Sequence, residues 1–239
     1  MGQKMTKNNY VVYHLHTEQS LLDSCTNYKD YVDKAVELGQ KAIAFTEHGN
    51  VFNWVEKKMY CDAKGIKYIH GVECYLTEQL EPKVRDNYHT ILLAKNYEGV
   101  KEINRLCYIA SQPDHFYYRP RLSFDEFLGI SDNVIKISAC LASPLNEWRK
   151  NYVQYSTSKF ADIASHYDYL EIQPHDFEEQ IQFNKFLYTM HEDLRIPLIA
   201  GTDTHSIDQY KAKCRTMLQY SKNIDFGDED TFDLTYKSY

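Results

Sequence analysis

The stretch KAIAFTEHGNVFNWVEKKMYCDAKGIKYIHGVECYL (41–76) contains one complete strand–helix–strand unit. KAIAFTEH (41–48) and KYIHGVECYL (67–76) are short runs rich in β-branched and aromatic residues, bounded by polar or turn residues as strands are. Between them Val51, Trp54, Val55, Met59 and Tyr60 recur at helical spacing, and Gly65 stands where a helix should stop. Five more strand-like runs lie on either side: VVYHLHT (11–17), YHTILLAKN (88–96), NVIKISAC (133–140), DYLEIQPH (168–175) and PLIAGTDTH (197–205). Helical stripes separate most of them, including Tyr28, Tyr31, Val32 and Ala35, then Val100, Ile103 and Leu106, and later Phe183, Phe186 and Leu187. Alternation of this kind implies an α/β protein with a mainly parallel sheet and helices outside. Seven units suggest a closed or nearly closed (β/α)7 barrel of TIM-like type, with an open doubly wound sheet as the other arrangement the pattern admits. The polar loop 77–87 and the segment 111–124 read as insertions, residues 1–9 as a flexible lead and 223–239 as an acidic, aromatic tail to one domain spanning 1–239.

Composition narrows the function classes. No apolar run is long enough to span a bilayer, and MGQKMTKNNY is not a secretion signal, so a cytoplasmic protein with no membrane partner is expected. The six cysteines form no C-x-x-C pair, which argues against a zinc ribbon or a redox dithiol. A net charge of −7 shows none of the basic excess of a stand-alone nucleic-acid binder. Bound divalent ions would nevertheless invert the local field for a phosphate substrate.

The chemistry gathers at the strand termini. His14 and His16 close the first run, Glu47 and His48 the second, Cys140 the fifth, and Asp203 and His205 the seventh. Glu73 lies in the third, His89 opens the fourth, and Asp23 follows the first. Residues i and i+2 of a strand project together, so His14 and His16 can reach one ion, as can Asp203 and His205. Imidazole, carboxylate and thiolate suit zinc; imidazole with carboxylate also suits manganese or iron. A single H-x-H or D-x-H arises by chance, and a single strand-end cysteine is usually a small buried hydrophobe. The whole set falling at or near strand termini is what points to metal. His175 would end the sixth strand and face the same cleft, while Arg119 and Arg121 are candidates to grip phosphate through the guanidinium fork, with Lys95 of similar standing.

HLHTEQSLLDS, AFTEHGN, GVECYL, HTILLAKN, ISACLAS and IAGTDTHS, in that order, resemble the motifs of the PHP (polymerase and histidinol phosphatase) domain family. The likeness is closest to the form of that domain at the N-terminus of bacterial DNA polymerase III alpha subunits. The resemblance implies a distorted barrel of seven β/α units and two to three divalent ions (Zn, Mn or Fe) held by nine ligands. It implies His14, His16, Glu73 and Asp203 on the first ion, Glu73 with His89 and Cys140 on the second, and Asp23, His48 and His205 on the third. Glu73, Asp203 and His205 would be catalytic. Where the family commonly has Thr-Asp-His this chain has Thr46-Glu47-His48, whose acid resembles a group that orients ligands from behind. The implied activity is metal-dependent hydrolysis of DNA phosphodiesters as a 3′→5′ proofreading exonuclease. Hydrolysis of small phosphomonoesters, or a non-catalytic module docked to a polymerase, are the other readings. Its partners would be a DNA 3′ end or another phosphate ester and a separately encoded polymerase subunit. No polymerase activity is expected from the 239 residues alone.

Overall fold

The structure is a computed structural model and describes residues 10–151, 158–223 and 233–238. The expected lead 1–9 and most of the expected tail lie outside the described residues.

In chain order the elements are α1 (Tyr28–Glu37), β1 (Ala42–Phe45), α2 (Trp54–Lys64), β2 (Lys67–Thr77), β3 (Tyr88–Ala94), α3 (Tyr97–Ala110), β4 (Arg121–Ser123), α4 (Phe124–Leu128), β5 (Val134–Ile137), α5 (Pro144–Lys150), α6 (Ser158–Ser165), β6 (Leu170–Ile172), α7 (Glu178–Leu194), β7 (Leu198–Ala200) and α8 (Gln209–Ser221). The quoted unit forms as read: β1 and β2 pair in parallel from Ala42↔Lys67 to Phe45↔His70, and α2 ends on Gly65 at φ +70°. Such a φ is open to glycine at little steric cost.

Three features depart from the sequence reading. First, β3 runs antiparallel to both of its neighbours, β2 and β5. The loop 78–87 is therefore a hairpin connection, and the start of β3 shares an end of the sheet with the finish of β2. Secondly, residues 11–17 form no regular strand. They bond on both sides all the same: Ala44 N–H donates to Val12 O and Thr46 N–H to Leu15 O, while Thr204 N–H donates to His14 O and His16 N–H to Thr204 O. Thirdly, the segment read as an insertion contains β4, which pairs with the C-terminal half of β2 through Tyr75↔Arg121 and its neighbours. The Ser123/Glu126 capping box then starts α4 at once.

The pairing order is β1-β2-β3-β5 in one sheet and β6-β7 in another. A parallel bridge, Ile137↔Tyr169, links β5 toward β6, and Leu15↔Thr204 links the end of β7 to the segment that bonds β1. The largest apolar cluster fills the space between the sheet and α3, α4, α6 and α7, with Val72, Leu76, Ile103, Phe124, Phe160 and Phe183 at its centre. A second cluster, around Leu15, Tyr31, Val32 and Phe45, pins α1 over the first segment.

Candidate metal centre

Glu73 stands in the middle of the site, with no exposure, on the central strand of the larger sheet. Its Oε1 lies 2.9 Å from His89 Nδ1 and 3.3 Å from His14 Nε2. Its Oε2 lies 2.7 Å from His48 Nδ1 and 3.3 Å from His16 Nε2. Asp203 Oδ1 is 2.9 Å from His14 Nε2 and 3.3 Å from His16 Nε2. Asp23 Oδ2 sits between His48 Nε2 at 2.8 Å and His205 Nε2 at 3.1 Å. Cys140 Sγ is 3.7 Å from His89 Nδ1 and 4.0 Å from Glu73 Oε1. The structure thus brings all nine expected ligand residues into one cluster. His89 can join it because β3 runs backwards, which places its first residues beside the last residues of its neighbours.

Strand alternation does not account for every member. It suits His14 and His16, whose Nε2 atoms meet the same carboxylate oxygen. It fails for Asp203 and His205: β7 stops at Ala200, Asp203 has φ +47°, and the two are joined by His205 Nδ1–H donating to the Asp203 carbonyl at 2.7 Å. Asp203, Leu22, Tyr118 and Ala139 (next to Cys140) are four of the eight non-glycine residues with positive φ among the described residues. Strain of this kind collects where the surrounding structure fixes a functional geometry.

The donor chemistry tests whether cations fit. Ser20 Oγ donates its proton to Glu47 Oε2 at 2.6 Å, so it must accept from His16 Nδ1–H at 2.9 Å. His14 Nδ1–H donates to Glu171 Oε1 at 2.8 Å. The outward nitrogen of each ring is fixed by these bonds as the one left to bind, the usual arrangement behind a metal-bound histidine. In the neutral ring His14 Nε2, His16 Nε2 and His205 Nε2 then carry lone pairs, and each faces a carboxylate oxygen. An acceptor facing an acceptor requires a proton or a cation between them. His14 Nε2, His16 Nε2, His48 Nδ1, Glu73 Oε2 and Asp203 Oδ1 are all buried and make no properly directed hydrogen bond. Ligand atoms about 2.0–2.1 Å from a tetrahedral ion stand about 3.3 Å apart, the separation seen between His16 Nε2 and both carboxylates. The residues fit divalent ions.

Without an ion, protons fill that gap: burial would lower the His14 and His48 pKa values, but the facing carboxylates raise both well above the ordinary imidazole value. Burial resists ionisation of Glu73, but the charges of His89, His48 and His14 hold its carboxyl well below the usual range. Asp203 is held low, against burial, by His14 and His205, and Asp23 by His205 and His48. Burial pushes the Cys140 thiol up, with Asp203 and Glu73 adding to it, so a metal ion would have to displace its proton.

The remaining expected residues divide. Arg119 is exposed on the rim of the cavity that opens over the cluster, its guanidinium 5.5 Å from the centre of the Tyr75 ring. Arg121 does not reach the cavity: it is buried and donates to Val84 O at 2.7 Å and His115 O at 3.4 Å. The hairpin loop and the 111–120 segment take up its fork, so it ties two loops together instead of gripping phosphate. Lys95 points toward Asp168 at 3.8 Å. His175 is buried near enough to feel Asp203 and Glu171, although burial dominates and lowers its pKa.

Several supporting residues went unread. Glu171, fully buried on β6, also accepts from Tyr13 Oη and Gln173 Nε2. Arg215 and Gln219 of α8 hold Asp23 Oδ1 at 2.6 Å and 2.9 Å. Lys57 of α2 pairs with Glu47 Oε1 at 2.6 Å, and both are buried. A glutamate in an otherwise apolar three-residue strand was the one available signal; Arg215, Gln219 and Lys57 look like ordinary helix-surface residues until the fold is known.

A PHP domain family model matches residues 13–175. The chain belongs to the PHP domain family. It is 32% identical over 235 residues to the DNA polymerase III subunit alpha of Aquifex aeolicus, covering 90% of this chain and 20% of that one. It is also 32% identical over 228 residues to the namesake from Borreliella burgdorferi, covering 89% and 19%. The PHP chain therefore spans about a fifth of the length of these relatives. Among solved structures it resembles a candidate metal-dependent phosphoesterase from Bifidobacterium adolescentis, with a TM-score of 0.55 at 14% identity over 82% of this chain and 88% of that one. No described helix of the PHP chain is long and apolar enough to cross a membrane.

Proposed function

We propose that this PHP chain is a metal-dependent phosphoesterase acting on DNA phosphodiesters, of the 3′→5′ exonuclease type. The observation that carries the hydrolytic reading is the convergence of nine ligand-type residues in one cluster, four histidines on the buried Glu73 carboxylate at its centre, beneath an open cavity of about 810 Å³. The kinship with DNA polymerase III subunits favours DNA as the substrate class. On this reading the ring of pairings is a distorted (β/α)7 barrel, and residues 1–239 are one domain with its site at the strand ends.

Two to three ions of zinc, manganese or iron would be held by His14, His16, Glu73 and Asp203, by Glu73, His89 and Cys140, and by Asp23, His48 and His205. Ions so held would acidify a water for attack on phosphorus and neutralise charge on its non-bridging oxygens. The chain's own residues supply the rest. Glu73 spans both halves of the site and fixes their spacing. Asp203, held ionised, keeps the His14 and His16 rings in register. Burial lowers the pKa of His205, favouring the neutral imidazole that a ligand to the third ion requires, with Nε2 turned to that ion and Nδ1–H held by the Asp203 carbonyl. Arg119 is placed to meet a phosphate entering the cavity. With a net charge of −7, DNA affinity would depend on low salt or on a basic partner such as a polymerase subunit.

Elemental analysis of the purified chain, followed by parallel assays on a mismatched DNA 3′ end and on phosphomonoesters, tests the proposal. Bound metal with loss of nucleotides from the 3′ end is expected. Activity on monoesters alone would transfer the chain to the small-molecule phosphatase reading. No metal and no hydrolysis with added Mn or Zn would overturn both.

A further inference from the structure

The cavity wall above the ligand cluster has an unusual composition. The chain has 34 acidic and 27 basic residues, yet among the described residues the lining outside the cluster includes no carboxylate and a single cation, Arg119. In their place stand large rings open to solvent. Phe52 is 54% exposed, Tyr108 67%, Phe116 51% and Tyr118 68%, and all four line the cavity. They come from three separate parts of the chain: the turn before α2, the last part of α3, and the 111–120 segment. Among the described residues Phe52, Tyr108 and Phe116 stack on no other ring, and half or more of each is open to solvent. Tyr118, at φ +60°, is braced by Tyr117, edge-to-face at 4.7 Å, and by Arg85 of the hairpin loop, with the guanidinium 4.8 Å from the ring centre and Nη2 3.4 Å from the hydroxyl, and it remains 68% exposed. Leu22, at φ +67° and 44% exposed, lines the same opening. Below the rim Gly49, at φ +64°, leaves room for Pro120, whose Cγ would lie 2.5 Å from any added Cβ. That close approach anchors the aromatic segment directly beside His48.

Exposed apolar surface concentrated at the mouth of a site marks a place where a ligand is bound, and aromatic rings there can stack on a ring of that ligand. Every nucleobase has a π-face, and single-strand binders combine such rings with a few cations that follow the backbone. Base-paired nucleotides are already stacked and cannot use these faces. We infer that the Phe52, Tyr108, Phe116 and Tyr118 rim is a stacking platform for unpaired bases, which feeds a single-stranded nucleic-acid end past Arg119 into the ligand cluster. This inference rests on the phosphodiesterase reading and names its substrate as a frayed or single-stranded end.

The test measures binding apart from hydrolysis. The 239-residue chain is titrated with a fluorescent oligothymidylate whose terminal linkages are phosphorothioates, and with the same strand carrying abasic sites at its last three positions. Phe116→Ala and Tyr118→Ala are each expected to weaken binding of the intact strand by about 5- to 150-fold, the range alanine substitution of a base-stacking ring produces. Tyr118→Trp is expected to bind as well as wild type. Wild type is expected to lose at least that factor on the abasic strand, which lacks three bases, a comparison that needs no variant to fold. A blunt duplex should bind more weakly than the single strand. Equal affinity of wild type for intact and abasic strands, unchanged binding in both alanine variants, or no measurable binding of the intact strand would overturn the platform. A platform that passes while no metal supports hydrolysis would leave a single-strand binding site and reject the phosphodiesterase reading instead.

Discussion

Replacing Lys57 by methionine isolates the group that supports the ligand cluster from behind. Lys57 Nζ lies 2.6 Å from Glu47 Oε1, and both residues are about 1% exposed. Glu47 also accepts from Thr17 N–H at 3.0 Å, Thr17 Oγ1 at 2.6 Å and Ser20 Oγ at 2.6 Å, and Ser20 in turn accepts from His16. Removing one partner of a buried pair leaves an uncompensated charge and costs about 3–5 kcal/mol. Three surviving hydrogen bonds favour the lower part of that range. For a chain of this size the loss corresponds to a fall in Tm of about 6–20 °C. The pH dependence carries the sharper signature. In the wild type, burial opposes ionisation of Glu47, but Lys57 and His16 outweigh it and hold the carboxyl low. Its contribution is therefore present above the unfolded carboxylate pKa and fades as pH falls through the folded value. In Lys57→Met the largest charge opposing burial is gone, so the carboxyl rises although His16 and the three hydrogen bonds remain, and the penalty is greatest at neutral pH and shrinks as the carboxyl protonates. Thermal unfolding of both proteins in chelator, from pH 7.5 down to 4.5, measures this directly. A difference under about 1 kcal/mol at neutral pH, or one that does not shrink on acidification, would refute the reasoning.

Arg215→Ala removes the fork on Asp23 and is expected to cut metal affinity about 10- to 100-fold at the ions Asp23 would ligate, as loss of an outer partner generally does; competition with a metal-indicator dye reads this, and unchanged affinity would show that Gln219 alone suffices. Gly201→Ala would place a Cβ 2.4 Å from Glu171 Cδ, forcing that carboxylate off His14; a stability loss of about 1–3 kcal/mol together with lower metal content is expected, and a variant matching wild type in both would refute the packing argument. Zinc or manganese at about 100 times its Kd should stabilise the chain by about 2.7 kcal/mol, visible as a Tm rise of several degrees, and a chelated and a loaded sample with the same Tm would exclude tight binding. His14→Ala and Asp203→Ala should each lose metal by elemental analysis; retention of metal and activity by either would reject the ligand assignment.

The strand–helix alternation and the nine ligand-type residues could be read from residues 11–205 because each declares itself locally, by periodicity or by its place at the end of an apolar run. The direction of β3 could not. A hairpin and a crossover leave similar patterns in the strands they join, and only pairing with both β2 and β5 decides between them. The Asp203 turn was likewise hidden, because alternation predicted the right neighbours for the wrong reason. Arg121 misled because exposure, not residue type, decides whether a guanidinium can reach a substrate. Glu171 and Arg215 act through contacts with His14 and Asp23 that span most of the chain, and no local window contains both partners.

The segment carrying His14 and His16 is bonded on one side to the strand that follows it and on the other to residues around Thr204. Each ring's outward nitrogen faces one carboxylate oxygen from Glu73 and one from Asp203, residues far apart in the chain. An ion held there would tie the histidine segment at once to the central strand and to the turn after β7, as a clasp across the seam between them. Its removal should loosen that seam before the paired strands of the larger sheet, and faster amide exchange at His16 and Thr204 in chelator would reveal it.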